Sequence, residues 1–239
     1  MGLFTHFLKN TAPDSFHGYI ALGDSISIDD YPGEGKGSAS LFYKNQDHLY
    51  PEFRGRDLHS VFKGITFRCH AQDGATSYDV LHEQLRKLPR SDPRPSLFTV
   101  TAGGNDILAL QADAEEICFR LQAIIKQLQE RFSNCHILLG TVYDPTDGVG
   151  DLFEPGVCLE REMECMRKTN DAIRAMFDSA GVQVVDIHRH FLGHGAHCKD
   201  SRNPYYHPED PSLWYTMNIE PNSRGAHEVR RLFWEALHS

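Results

Sequence analysis

The six cysteines, at positions 69, 118, 135, 158, 165 and 198, include no Cys-x-x-Cys pair. Cysteines scattered this way through a mid-sized chain read as buried reduced thiols, which argues against a disulfide framework and implies a reducing, cytoplasmic compartment. Long apolar runs are also missing, and none approaches the ~20 residues that a membrane helix needs. The first residues hold no basic segment followed by an apolar core, so no signal peptide is read. His6 stands where a myristoylation signal requires Ser or Thr. Positive charge is scarce: 24 Lys and Arg against 33 Asp and Glu give a formal net charge of −9. A nucleic-acid partner, which calls for a basic face, is argued against on that ground.

What is present suits one α/β domain over residues 1–239, with 40% apolar residues to build its core. Residues 1–17 read as a lead-in. Strand-like runs end near positions 23, 69, 101, 142 and 186. They alternate with helical patterns over Ser38–Leu49, Ser77–Leu88, Ala112–Phe132, 158–180 and Arg224–Leu237. In Ser77–Leu88 the apolar stripe is Tyr78, Leu81, Leu85 and Leu88. In Ala112–Phe132 it is Ile117, Leu121, Ile124, Ile125 and Leu128, one buried face. Regular alternation of strand and helix predicts a parallel sheet covered on both faces, a three-layer α/β/α sandwich.

Three of the strand ends share a form. Tyr19 to Leu22 is apolar and closes on Gly23-Asp24-Ser25-Ile26; a second run is followed by Asp73-Gly74-Ala75; a third by Gly103-Gly104-Asn105-Asp106. A residue just past the end of a parallel strand lies at the sheet edge where open α/β folds bind ligands. The three turns therefore line up a serine hydroxyl, a glycine N–H and an asparagine amide. A nucleophile with two oxyanion donors is what acyl transfer needs. Asp24 and Asp106 read as braces of their turns.

These blocks, in this order and spacing, resemble the GDSL, or SGNH, family of serine hydrolases, with Ile26 in place of the family's Leu. The resemblance implies a flavodoxin-like sheet of about five strands in order 2-1-3-4-5. It also implies an esterase acting on a small-molecule ester without a cofactor, with Ser25 as nucleophile and Gly74 and Asn105 as oxyanion donors.

The family's last block, Asp-x-x-His-Pro before the final helix, is altered. Met217 stands in the aspartate position and Glu220 in the histidine position, while Pro221 and Asn222 are kept. One reading makes Glu220 the general base, although a free carboxylate has a pKa of about 4.3 against about 6.5 for histidine. A second takes the base from the long stretch 187–222, read as a loop at the edge of the site, with His194 between Gly193 and Gly195 as the candidate. A third leaves the pocket without a base, as a module that binds an acyl or sugar ester. A fourth places a metal on His188, His190, His194, His197 and Cys198 of that loop. Trp214 and Tyr215 read as core or pocket wall, residues 228–231 as the wet face of the last helix, and Arg224 as a possible anion contact.

Overall fold

A computed structural model describes residues 15–152, 159–176 and 181–239. Its five strands are β1 (Gly18–Gly23), β2 (Thr66–Cys69), β3 (Ser96–Thr101), β4 (Cys135–Gly140) and β5 (Val182–Val185). They form one sheet in the order β2-β1-β3-β4-β5, with every pairing parallel. β1 and β3 are buried along their whole length, as central strands covered on both faces must be.

Because successive side chains of a strand point to opposite faces, β1 feeds two separate cores. Ile20 and Leu22 pack with α5 (Ala114–Arg131) and α6 (Glu160–Met176) on one face. Tyr19 and Ala21 pack with α1 (Ser38–Tyr43), α2 (Leu58–Val61) and α8 (Ser223–Leu237) on the other. The sandwich is thus the three-layer one expected. The five residues read from the pattern are all buried on α5, joined by Cys118, and each of the five contributes roughly 1.5–3 kcal/mol. Among the described residues no helix is long and apolar enough to cross a membrane.

Four expectations need correction. Residues 77–88 are not one α-helix. A first turn α3 (Ser77–Asp79), closed by a Thr76–Asp79 capping box, opens into a π turn over Val80–Gln84 and a 3-10 turn over Leu85–Lys87. The wider turn changes which side chains face inward: Tyr78 is 51% exposed, while Gln84 is completely buried. The helix expected over Ser38–Leu49 stops at Tyr43, and the chain beyond it is held by Asn45, whose amide donates to the Tyr50 carbonyl at 3.0 Å.

The stretch 187–222 is not structureless either. It holds α7 (Ile187–Phe191), capped by Asp186, and a short antiparallel hairpin of β6 (Tyr215–Thr216) and β7 (Glu220–Pro221). On α8, Glu228 and Arg230 are 2% and 0% exposed rather than solvated. Glu228 accepts from His190 at 2.8 Å and Arg231 at 2.7 Å, and Arg230 donates to Asn45 at 2.9 Å over the ring of Phe53. Most of the lead-in, Cys158 and residues 177–180 lie outside the described residues.

The buried Gln84 is what the π turn delivers to the sheet edge. Its Nε2 donates to the Gly23 carbonyl at 2.7 Å and its Oε1 accepts the Gly23 N–H at 2.8 Å. Gln84→Ala leaves the Gly23 N–H without a partner in the core, at about 1–3 kcal/mol, while the Gly23 carbonyl keeps the Gln72 N–H at 3.0 Å. We expect a loss of about 2 kcal/mol in urea unfolding, read as a lower midpoint with an unchanged m-value.

Candidate active site

The site is assembled where β1 and β3 end. Gly23 has φ +132°, and a Cβ on it would fall 1.9 Å from the Thr101 carbonyl oxygen, so only glycine lets the two strands finish side by side. Asp24 follows as the cap of a 3-10 turn, Ser25–Ser27. Its Oδ1 accepts the Ile26 N–H at 3.3 Å and the Thr101 hydroxyl at 3.0 Å. This bracing places Ser25 at the start of the turn, buried to 7% exposure.

From β3 the chain passes through Gly103 into α4 (Gly104–Leu108), which presents Asn105. The Asn105 amide donates to the Ala75 carbonyl at 3.0 Å, bringing the third block against the second. Asp106, fully buried, ties the same two blocks from behind. It accepts the Ser77 N–H at 2.7 Å and the Ser77 hydroxyl at 2.6 Å, and Arg120 closes on it at 3.1 Å. Gly74 sits in the exposed turn beside Ala75, and no backbone partner takes its N–H among the described residues.

Glu220 arrives on β7. The hairpin tip carries Met217 and Asn218 at φ +47° and +69°, and Met217 is 75% exposed, pointing away from any role beside Glu220. The Tyr143 hydroxyl holds the tip by donating to the Ile219 carbonyl at 2.6 Å. Behind it, Asn222 caps α8 through the Arg224 and Gly225 N–H groups at 2.9 and 3.0 Å, and donates to the Leu213 carbonyl at 2.8 Å.

Ser25, Asn105 and Glu220 line one cleft, whose walls include apolar side chains such as Val142, Met163 and Met166. Glu220 is 7% exposed, and its Oε2 has no hydrogen-bond partner among the described residues. Burial raises its pKa above the ordinary carboxylate value, with the charge of Asp73 adding to the rise and the facing Ser25 hydroxyl opposing it. Asp24 is pushed up to about 7, chiefly by burial; the Thr101 hydroxyl and Ile26 N–H oppose this and the Glu220 charge adds to it.

His194 does not line this cleft. Its ring is stacked on Trp214 at 3.5 Å between centroids and on His207 at 5.0 Å, with Nδ1 3.1 Å from the Ser212 carbonyl oxygen. The glycines that flank it serve backbone packing: a Cβ on Gly193 would meet the Tyr205 carbonyl oxygen at 1.9 Å, one on Gly195 that of Pro145 at 2.4 Å. The other loop histidines go to separate partners, His190 to Glu228 and His197 to Asp151. Among the described residues no three His, Cys, Asp or Glu are grouped to hold a metal ion. Arg224 pairs with Glu228 at 3.1 Å, and Trp214 and Tyr215 are core. The pattern of blocks gives no hint of Gln84, Thr101 or Tyr143, because each acts through hydrogen bonds to a part of the chain far from it in sequence.

Residues 21–211 match the model of the GDSL-like lipase/acylhydrolase family. The chain belongs to that family. No curated protein sequence matches it. Solved structures share the GDSL-family fold at low identity. A member of the lipolytic G-D-S-L family from Veillonella parvula is 16% identical, with 92% of this chain and 98% of that one covered and a TM-score of 0.63. An extracellular lipase from Streptomyces rimosus is 19% identical over 92% and 99%, with a TM-score of 0.58. A mutant acetyl-xylooligosaccharide esterase from Geobacillus is 15% identical over 96% and 97%, also at 0.58.

The Asp24 of this GDSL-family chain has a testable signature. A buried acid with a raised pKa costs nothing while protonated and destabilises the fold once it must ionise. Its cost is therefore absent below about pH 4 and grows as pH rises toward 7. Asp24→Asn keeps the Oδ1 acceptor and removes that cost. Its melting temperature relative to the parent should rise between pH 4.5 and 8.5, by an equivalent on the order of 2–4 kcal/mol. A constant difference would contradict the assignment.

Proposed function

We propose that this chain hydrolyses a carboxylic ester, with Ser25 as nucleophile and Glu220 as general base. The observation that carries the reading is the shared cleft of Ser25, Asn105 and Glu220. The family match and the lipase and esterase among its structural neighbours support the reaction class.

In this mechanism the Glu220 carboxylate takes the Ser25 proton as Oγ attacks the ester carbonyl. The oxyanion is received by the Ser25 and Gly74 N–H groups and the second N–H of the Asn105 amide, the first being held by Ala75. Each such donor is worth about 3 kcal/mol in the transition state. Protonated Glu220 then gives its proton to the leaving alcohol. It next takes one from the water that attacks the acyl-serine, freeing the acid and restoring Ser25.

Two features offset the loss of histidine. Burial raises the Glu220 pKa, which brings its basicity closer to the working pH. A carboxylate also has two equivalent oxygens and no tautomer to select, so it does not need the orienting aspartate that an imidazole does. The Tyr143–Ile219 bond and the Asn222 cap set its position instead.

A fluorophosphonate probe should label the folded protein, and Ser25→Ala should abolish the label. Folded protein that takes no label would be a receptor, not an enzyme. On a short-chain aryl ester, Glu220→Gln should lower kcat/KM by roughly 10²–10⁴-fold. Because the base works ionised, activity should rise with pH through a limb above the ordinary glutamate range. Glu220→His should move that limb toward about 6.5. A limb unmoved by this substitution would assign the base elsewhere.

A further inference from the structure

The cleft beside Ser25 has walls of one charge sign. Among the described residues that line it, Asp24, Asp144, Glu162 and Glu220 are acidic, and none is Lys, Arg or His. Their states differ. Asp144 is satisfied: Oδ1 accepts the Thr146 N–H at 2.8 Å and the Thr146 hydroxyl at 2.6 Å, and Oδ2 accepts the Gly148 N–H at 2.7 Å. Asp24 is committed through Oδ1 to its own turn.

Glu162 and Glu220 are not satisfied. Glu162, half-buried on α6, makes no ion pair or hydrogen bond among the described residues. Of the cations of that helix, Arg167 and Lys168 pair with Glu164 at 2.9 and 3.2 Å and Arg174 with Asp186 at 2.9 Å, while Arg161 is exposed and does not line the cleft. Glu220 is more than nine-tenths buried and has a free Oε2 in the same cleft. The ring of Tyr143 also lines it.

An apolar-walled cleft with two uncompensated carboxylates and an aromatic ring repels an anionic group and attracts an ammonium. The low dielectric of such walls strengthens both effects, and a ring face adds to the binding of a quaternary nitrogen. We propose that the ester this cleft takes carries a cationic ammonium group, held against Glu162 while its carbonyl lies at Ser25. The statement that the ligand is an ester rests on the hydrolase reading above; the charge selection does not.

Binding and turnover separate the two. In the Ser25→Ala protein, calorimetric titration compares butyrylcholine with its neutral carbon isostere, 3,3-dimethylbutyl butyrate. The cation should bind about tenfold more tightly, a gap that shrinks at roughly 0.5 M salt. Adding Glu162→Gln, with Glu162→Ala as a second variant, should bring the ratio to within about twofold. Equal affinities for the two esters, or a preference that survives both Glu162 changes, would overturn the proposal. Hydrolysis of the same pair by the parent protein tests the other claim. A cation preference in binding with no turnover keeps the charge selection and removes the catalysis.

Discussion

A Cβ at Gly23 would lie 1.9 Å from the Thr101 carbonyl oxygen, so β1 and β3 end closer together than any other residue permits. That approach lets the Thr101 hydroxyl reach Asp24, and the Gln84 amide fills the hydrogen bonds of Gly23 from the opposite side. The turn bearing Ser25 is therefore fixed by the sheet as well as by its own Asp24 cap. Asn105 and Ala75 join in the same way, through Asp106, Ser77 and Arg120 beneath them. The residues that come together at this sheet edge are held by buried polar contacts, each costly to leave unmade.

The electrostatics of the cleft follow from the same burial. An unpaired carboxylate in an apolar wall is expensive, and nature tolerates it chiefly where the charge has work to do. Glu220 fits that description, with one oxygen lacking a partner and its pKa raised by desolvation. The histidines of the chain have been put to other uses. His194 packs flat against Trp214, and His227, 4% exposed, is held down to about 4, mainly by burial and then by Arg230. Neither imidazole faces the cleft.

The sheet was readable in the sequence because each strand is a short apolar run closed by glycine or a turn cluster, and that signal is local. The three turns at its edge were readable for the same reason. Less could be read where the cause lies far along the chain. Asp186 starts α7, which holds only one apolar pair, Ile187 and Phe191, too little period to reveal a helix. Glu228 and Arg230 carry the charges of a wet surface, yet are buried because His190, Asn45 and Phe53 come from elsewhere to meet them. The π turn at 80–84 breaks the helical period without any glycine or proline to announce it. The glycines flanking His194, which in the sequence suggest a tight approach to the site, instead admit the Tyr205 and Pro145 carbonyls.

Asp147 gathers the N–H groups of Gly193, Gly195 and His197 at 2.8, 2.8 and 2.9 Å. Two chain segments nearly fifty residues apart are thereby fastened at one carboxylate, which sits directly after Pro145 and Thr146 of the cleft wall. Insertions or deletions farther out in either segment can be taken up beyond that fastening, leaving the wall in register. The outer loop is thus free to diversify in length and composition while the chamber beside it keeps its shape.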